Sequence, residues 1–85
     1  MEYVVVAFRS RTHTVKFSEY LRKIGLSNEI INTPKEAGVG CGLSIKISVN
    51  IFSIVKRAVF SANLSSFAGF FLVTIYKNQR KVRTI

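Results

Sequence analysis

The fold is decided by Tyr3-Val-Val-Val-Ala-Phe8, an unbroken run of apolar residues close to the start of the chain. Because this run has no polar face, it predicts a strand that is buried on both faces of a sheet. The polar segment Arg9–Thr12 comes next and is followed by a predicted helix that extends to about residue 24. Phe17, Leu21 and Ile24 lie at helical spacing there and form one apolar stripe.

The rest of the chain predicts four further elements. Residues 28–33 indicate a short strand, residues 51–62 a second amphipathic helix and residues 70–76 a last strand. Residues 43–49 alternate strictly, which predicts a strand with Ser44, Lys46 and Ser48 on an exposed face. The order β-α-β-β-α-β is that of the ferredoxin-like split βαβ arrangement. We therefore predict an α+β fold with a four-stranded antiparallel sheet and two helices on one face.

The length and charge of the chain indicate its domain organisation and the kind of partner that it would bind. Its 85 residues predict one domain over residues 1–76, followed by a basic, solvated tail over residues 77–85. Thirteen Lys and Arg residues against four Asp and Glu give a net charge of +9, which favours an anionic partner. Residues 67–76, the longest apolar run, are too few to span a bilayer. One cysteine and no secretory leader predict a soluble protein of the reducing cytoplasm, with no membrane partner.

The only cysteine, Cys41, stands between Gly40 and Gly42 in the loop between the second and third strands. In the predicted topology this loop shares one end of the sheet with the turn after the first strand, so Arg9 and Arg11 lie near Cys41. The first helix also begins at this end. Its N-terminus and the two arginines would favour the thiolate form of the cysteine. The same cradle would also suit a phosphate, and a flexible turn with an inert cysteine remains open.

Most enzyme classes lack the residues that they need in this chain. A Cys-His dyad would depend on His13, the only histidine, for which no third orienting residue is evident. One cysteine and one histidine are too few for a structural zinc site, and a CxxC pair is absent. No Gly-Lys-Ser/Thr follows the glycines, as a phosphate-binding P-loop requires. We therefore predict no metal and no cofactor, and the residues favour a protein that is not an enzyme.

Two segments resemble a known family. An aromatic residue before Arg9-Ser10-x-Thr12-His13, and Pro34-Lys-Glu followed by Gly40-Cys-Gly-Leu-Ser44, are similar to the small bacterial family described as putative selenium/sulfur carrier protein-like. The resemblance extends to about Val49 and implies a compact α/β domain whose Cys-Gly pair is the carrier site. The chain departs from that family at Ala37-Gly38, where a branched residue and a serine are expected, and in its basic C-terminal residues.

The resemblance implies that Cys41 accepts a sulfane sulfur or selenium atom from a donor protein and passes it to an acceptor protein. The residues expected to bind around it are Arg9, Ser10, Arg11, Thr12, His13, Gly40 and Gly42. The alternative is a small anion-binding, RNA-binding or regulatory module with an inert cysteine. Nucleic acid is the less favoured partner, because the predicted exposed face of the third strand has no aromatic residues for stacking. An uncovered sheet face would favour a homodimer.

Overall fold

The computed structural model describes residues 1–39 and 41–85. Its elements are β1 (Glu2–Phe8), α1 (Arg11–Lys23), β2 (Glu29–Asn32), β3 (Leu43–Ile47), α2 (Phe52–Ala62), β4 (Phe67–Tyr76) and β5 (Gln79–Thr84). Short 3₁₀ turns at Lys35–Ala37 and Val49–Ile51 precede β3 and α2. The strands form one sheet in the order β2-β3-β1-β4-β5, and every neighbouring pair is antiparallel. The α+β class predicted from the sequence is confirmed.

The prediction of a four-stranded sheet is wrong, because the basic C-terminal residues form a fifth strand. Lys77 and Asn78 both have positive φ and make the two-residue turn of a tight hairpin. β5 then pairs with β4 from Tyr76↔Gln79 to Phe71↔Thr84, so the chain returns towards the end where β1 finishes. Val82 is the one residue of β5 that is not exposed, which explains why the segment resembles a solvated tail.

Both helices cover one face of the sheet and form the larger core. β1 contributes Val4, Val6 and Phe8 to this core, and all three side chains are fully buried. α1 packs on them through Phe17 and Leu21, while the core residues of α2 are Val55, Ala58 and Val59. Ser10 caps α1, since its hydroxyl accepts a hydrogen bond from the backbone N–H of His13. The cap fixes the start of α1 at the end of the sheet where β1 finishes.

The opposite face of the sheet has a smaller core of its own. Its buried side chains are Val5, Ala7, Phe71 and Val73. Ala37 and Val39, from the connection between β2 and β3, pack against this cluster together with Val82 of β5. The connection therefore folds back over the sheet instead of projecting from its end. Since both faces of β1 are covered, its uninterrupted apolar sequence is explained.

The face of β3 that the alternating sequence predicts to be exposed is partly covered. Ser44 is fully buried, and its hydroxyl is hydrogen-bonded to the hydroxyl of Thr33 at 2.6 Å. Lys46 is half-buried, with its ammonium group 4.6 Å from the ring centroid of Tyr3. Only Ser48, beyond the end of β3, is exposed. A single-strand pattern could not show that the residues after β2 lie over this face.

An ion pair holds the β2–β3 connection against β5. The guanidinium of Arg80 donates two hydrogen bonds to the carboxylate of Glu36, from Nε at 2.9 Å and from Nη2 at 2.7 Å. These bonds hold the pKa of Glu36 below its ordinary value of 4.5. The two-bond geometry is specific to arginine and carboxylate. We call this pair, Glu36 with Arg80, the clasp.

Candidate functional site

Cys41 is a free, partly buried cysteine whose thiol lies against the start of α1. Its Sγ donates a weak hydrogen bond to the carbonyl oxygen of Leu43 at 3.6 Å. The same sulfur lies 3.8 Å from the hydroxyl oxygen of Thr14, in the first turns of α1. The structure thus brings the cysteine next to α1, where the predicted topology put it. The thiol is held by two named contacts and is not a freely rotating side chain on a turn.

Thr14 is fully buried, and its hydroxyl is in contact with the sulfur. Its hydroxyl donates to the backbone carbonyl of Ser10 at 3.0 Å. That carbonyl also accepts the backbone N–H of Thr14 at 3.0 Å, so it keeps a partner if the hydroxyl turns away. When the thiol loses its proton, the hydroxyl can donate to the sulfur instead. A thiolate at this position would therefore gain one donor, while the carbonyl of Leu43 would no longer accept a hydrogen bond from the sulfur.

His13 takes no part in a dyad with the cysteine. Its Nδ1 is hydrogen-bonded to the hydroxyl of Ser66 at 2.5 Å, across the gap between α1 and the segment that follows α2. The backbone N–H of Arg9 donates to the carbonyl of Ser66 at 2.7 Å. Ser66 therefore joins the turn after β1 to the start of β4. This arrangement fits a structural role for His13, since its ring is engaged away from Cys41.

Among the remaining predicted site residues that the structure describes, none is hydrogen-bonded to the sulfur of Cys41. Arg11 and Thr12 are exposed in the first turn of α1. Gly42 has a φ of +95°, a conformation that few residues other than glycine adopt, and its carbonyl accepts the N–H of Thr33 at 2.9 Å. Gly40 lies outside the described residues. Arg9 is exposed. It lines a surface groove beside the loop, and Cys41 does not line that groove.

That groove has a volume of about 530 Å³ and is open to solvent. Its lining residues are Arg9, Thr33, Pro34, Lys35, Gly38, Val39 and Gly42. We call it the loop groove. Cys41 is next to Gly42 in sequence but does not line the groove, because its side chain is directed to Thr14. Arg9 and Cys41 therefore lie at different parts of the surface, whereas the sequence predicts that they share one site.

Sequence reasoning missed four residues that the structure brings to this region. Thr14 lies on the apolar stripe, three residues before Phe17, and that position could have identified it as a buried polar group. The clasp joins residues 44 positions apart, and no local pattern in the sequence signals such a pair. Lys35 lines the loop groove, whereas in the sequence it is only part of the segment that resembles the family.

Two further features concern metals and membranes. Among residues 1–39 and 41–85, no three His, Cys, Asp or Glu side chains are grouped closely enough to hold a metal ion. In the same part of the chain, no helix has both the length and the apolar character needed to cross a bilayer.

Comparison with known proteins gives one match. The model of the family described as "Putative Se/S carrier protein-like" matches residues 3–66, which include the turn after β1, α1, the loop with Cys41, β3 and α2. No curated protein and no solved structure matches the chain.

Proposed function

Because this chain belongs to the putative Se/S carrier protein-like family, we propose that Cys41 is the residue that carries a sulfur or selenium atom. The partners would be a donor protein that supplies the atom and an acceptor protein that removes it. The observation that supports this proposal is the placement of the one cysteine: its thiol is partly exposed and lies against a buried hydroxyl at the start of α1. A structural cysteine is usually enclosed among apolar side chains.

The transfer needs no oxidant or reductant beyond the donor itself. The thiolate of Cys41 attacks the outer sulfur of a persulfide on the donor, and a bond forms between Sγ and that sulfur. The donor's sulfur–sulfur bond breaks, and the donor thiolate leaves with the electron pair. A nucleophile on the acceptor then attacks the outer sulfur and releases the thiolate of Cys41. With selenium, the transferred atom changes while the same bonds form and break.

Thr14 would assist this reaction by donating to the sulfur when it is negatively charged. The hydroxyl is within contact distance of Sγ, and its present acceptor retains a second hydrogen bond. Both the free thiolate and the terminal persulfide carry negative charge, so each would benefit from a nearby donor. Cys41 is the nucleophile of the first step and the leaving group of the second, so the chain would act as a carrier that regains its starting form after each transfer.

The test is transfer of radiolabelled sulfur from cysteine through a cysteine desulfurase. Wild-type protein is expected to gain one labelled sulfur atom, which dithiothreitol removes, and Cys41→Ser is expected to gain none. Sodium polysulfide serves as a small-molecule donor that needs no protein contact. If neither the enzyme nor polysulfide loads the wild type, or if Cys41→Ser is labelled equally, the carrier proposal is wrong. Loading by both donors, lost in Cys41→Ser, would support it.

A further inference from the structure

The loop groove brings two cationic side chains to one concave surface. Arg9 reaches it from the residue that follows β1, and Lys35 from the connection between β2 and β3. Among the described residues that line it, none is Asp or Glu. The nearest carboxylate in the sequence, that of Glu36, is engaged by two hydrogen bonds from Arg80. The groove therefore has positive charge without a lining acidic residue to neutralise it.

The wall of the groove leaves backbone accessible to a ligand. Gly38 and Gly42 both have positive φ, and a side chain added at either position would meet no atom within 4 Å. Thr33 and the buried Pro34 form the part of the wall nearest β2. Backbone without side chains permits the close approach that anion-binding loops require. A volume of about 530 Å³ is within the range of small-molecule sites.

From these observations we propose that the loop groove binds the tetrahedral oxyanion group, phosphate or sulfate, of a small molecule between Arg9 and Lys35. Guanidinium and ammonium groups are the side chains that proteins use for such anions. The groove is larger than a single oxyanion, so the remainder of the molecule would lie over Val39 and the glycines. Two cations on separate segments also give the site more specificity than one exposed lysine would.

Anion binding here is independent of the carrier proposal. Cys41 does not line the groove, and its sulfur contacts Thr14 and Leu43 instead. Cys41→Ser should therefore bind the anion as the wild type does. Failure of sulfur transfer would leave this proposal intact, and failure of anion binding would leave the carrier proposal intact.

The experiment is a titration of ¹⁵N-labelled protein with inorganic phosphate, and separately with inorganic sulfate, at constant ionic strength maintained with chloride. Saturable shift changes are expected at the amides of Lys35, Gly38 and Gly42. Arg9→Gln and Lys35→Gln should each weaken binding about tenfold, because each removes a charged donor from a partly solvated site. Saturation by one anion and not the other would identify the preferred group.

Arg11→Gln is the matched control, since Arg11 is an exposed arginine near the same end of the sheet that does not line the groove. It should leave the affinity unchanged. The proposal is overturned if neither anion saturates, or if Arg11→Gln weakens binding as much as Arg9→Gln. Shift changes spread over the basic residues of both helices would also overturn it, because they would indicate general attraction to a net charge of +9.

Discussion

Replacing Thr14 with valine should slow the reaction of Cys41 with iodoacetamide near neutral pH. Valine has nearly the shape of threonine but lacks the hydroxyl that lies 3.8 Å from Sγ. The buried position of Thr14 means that no water molecule can readily take the place of this donor. The thiol form loses little, since the present hydrogen bond of the hydroxyl is to the carbonyl of Ser10. The thiolate form loses its donor.

The size of the effect follows from the difference between two hydrogen bonds of the Thr14 hydroxyl. Its bond to the carbonyl of Ser10 is replaced by a stronger, charge-assisted bond to the thiolate, and this exchange favours the thiolate by about 0.5–1.5 kcal/mol, which the valine variant would lose. The reacting thiolate population would then fall by about 2- to 13-fold wherever the thiol form predominates. At a pH where the cysteine is fully ionised, the rates of wild type and Thr14→Val should converge. Convergence distinguishes lost ionisation from lost access.

The assay is the rate of alkylation by iodoacetamide from pH 6 to pH 10, followed by intact mass. Thr14→Ser retains a hydroxyl and should react like the wild type. Thr12→Val is the control, because it changes an exposed threonine in the same turn of α1 and should also react like the wild type. Equal rates for Thr14→Val and wild type at every pH would refute the assigned role of the hydroxyl. A uniform decrease across the whole pH range would also refute it, because that result indicates blocked access.

Three further results are expected. Arg80→Gln should speed hydrogen exchange in residues 35–39, whereas Arg83→Gln, on the other face of β5, should not; equal effects would show that the clasp does not hold the loop. The pKa of Glu36 is lowered in the folded protein, so the clasp makes its full contribution to stability above pH 4.5. That contribution is lost as the pH falls through the lowered pKa. After correction for the pH dependence of intrinsic amide exchange, acid should thus lower the protection of residues 35–39 in the wild type, and a protection profile as flat as that of Arg80→Gln would contradict this. Leu21→Ala should cost about 2–5 kcal/mol of unfolding free energy by denaturant titration, against less than about 0.5 kcal/mol for Val15→Ala at the surface; a small loss at Leu21 would place it outside the core.

The sequence predicts the elements up to β4 well because each has a strong local pattern. The apolar run of β1 and the helical stripe through Phe17 and Leu21 depend only on neighbouring residues, and both elements are present. The placement of Cys41 beside the start of α1 follows from the order of the elements, which restricts the ways in which strands can pair. The family was also recognised correctly, from residues in two separate segments.

The features that the sequence did not reveal depend on contacts between distant segments. β5 has five polar or charged residues around Val82, and its turn, Lys77-Asn78, lacks the glycine that usually signals a two-residue hairpin. The burial of Ser44 depends on where the β2–β3 connection lies, and that connection is held by residues of the unpredicted strand. Because the sequence does not predict β5, it also does not predict that the second face of the sheet is covered.

The clasp has a consequence for how members of the family could differ. The family match ends at residue 66, whereas Arg80 and Val82 belong to the hairpin of β4 and β5 beyond it. The loop with the cysteine is thus restrained by a part of the chain that the shared segment does not include. Substitutions in the hairpin can alter how firmly the loop is held while Cys41 and its neighbours stay the same. The proposed chemistry would then lie in the matched segment, while the firmness with which the loop is held would depend on the contacts between that segment and the hairpin.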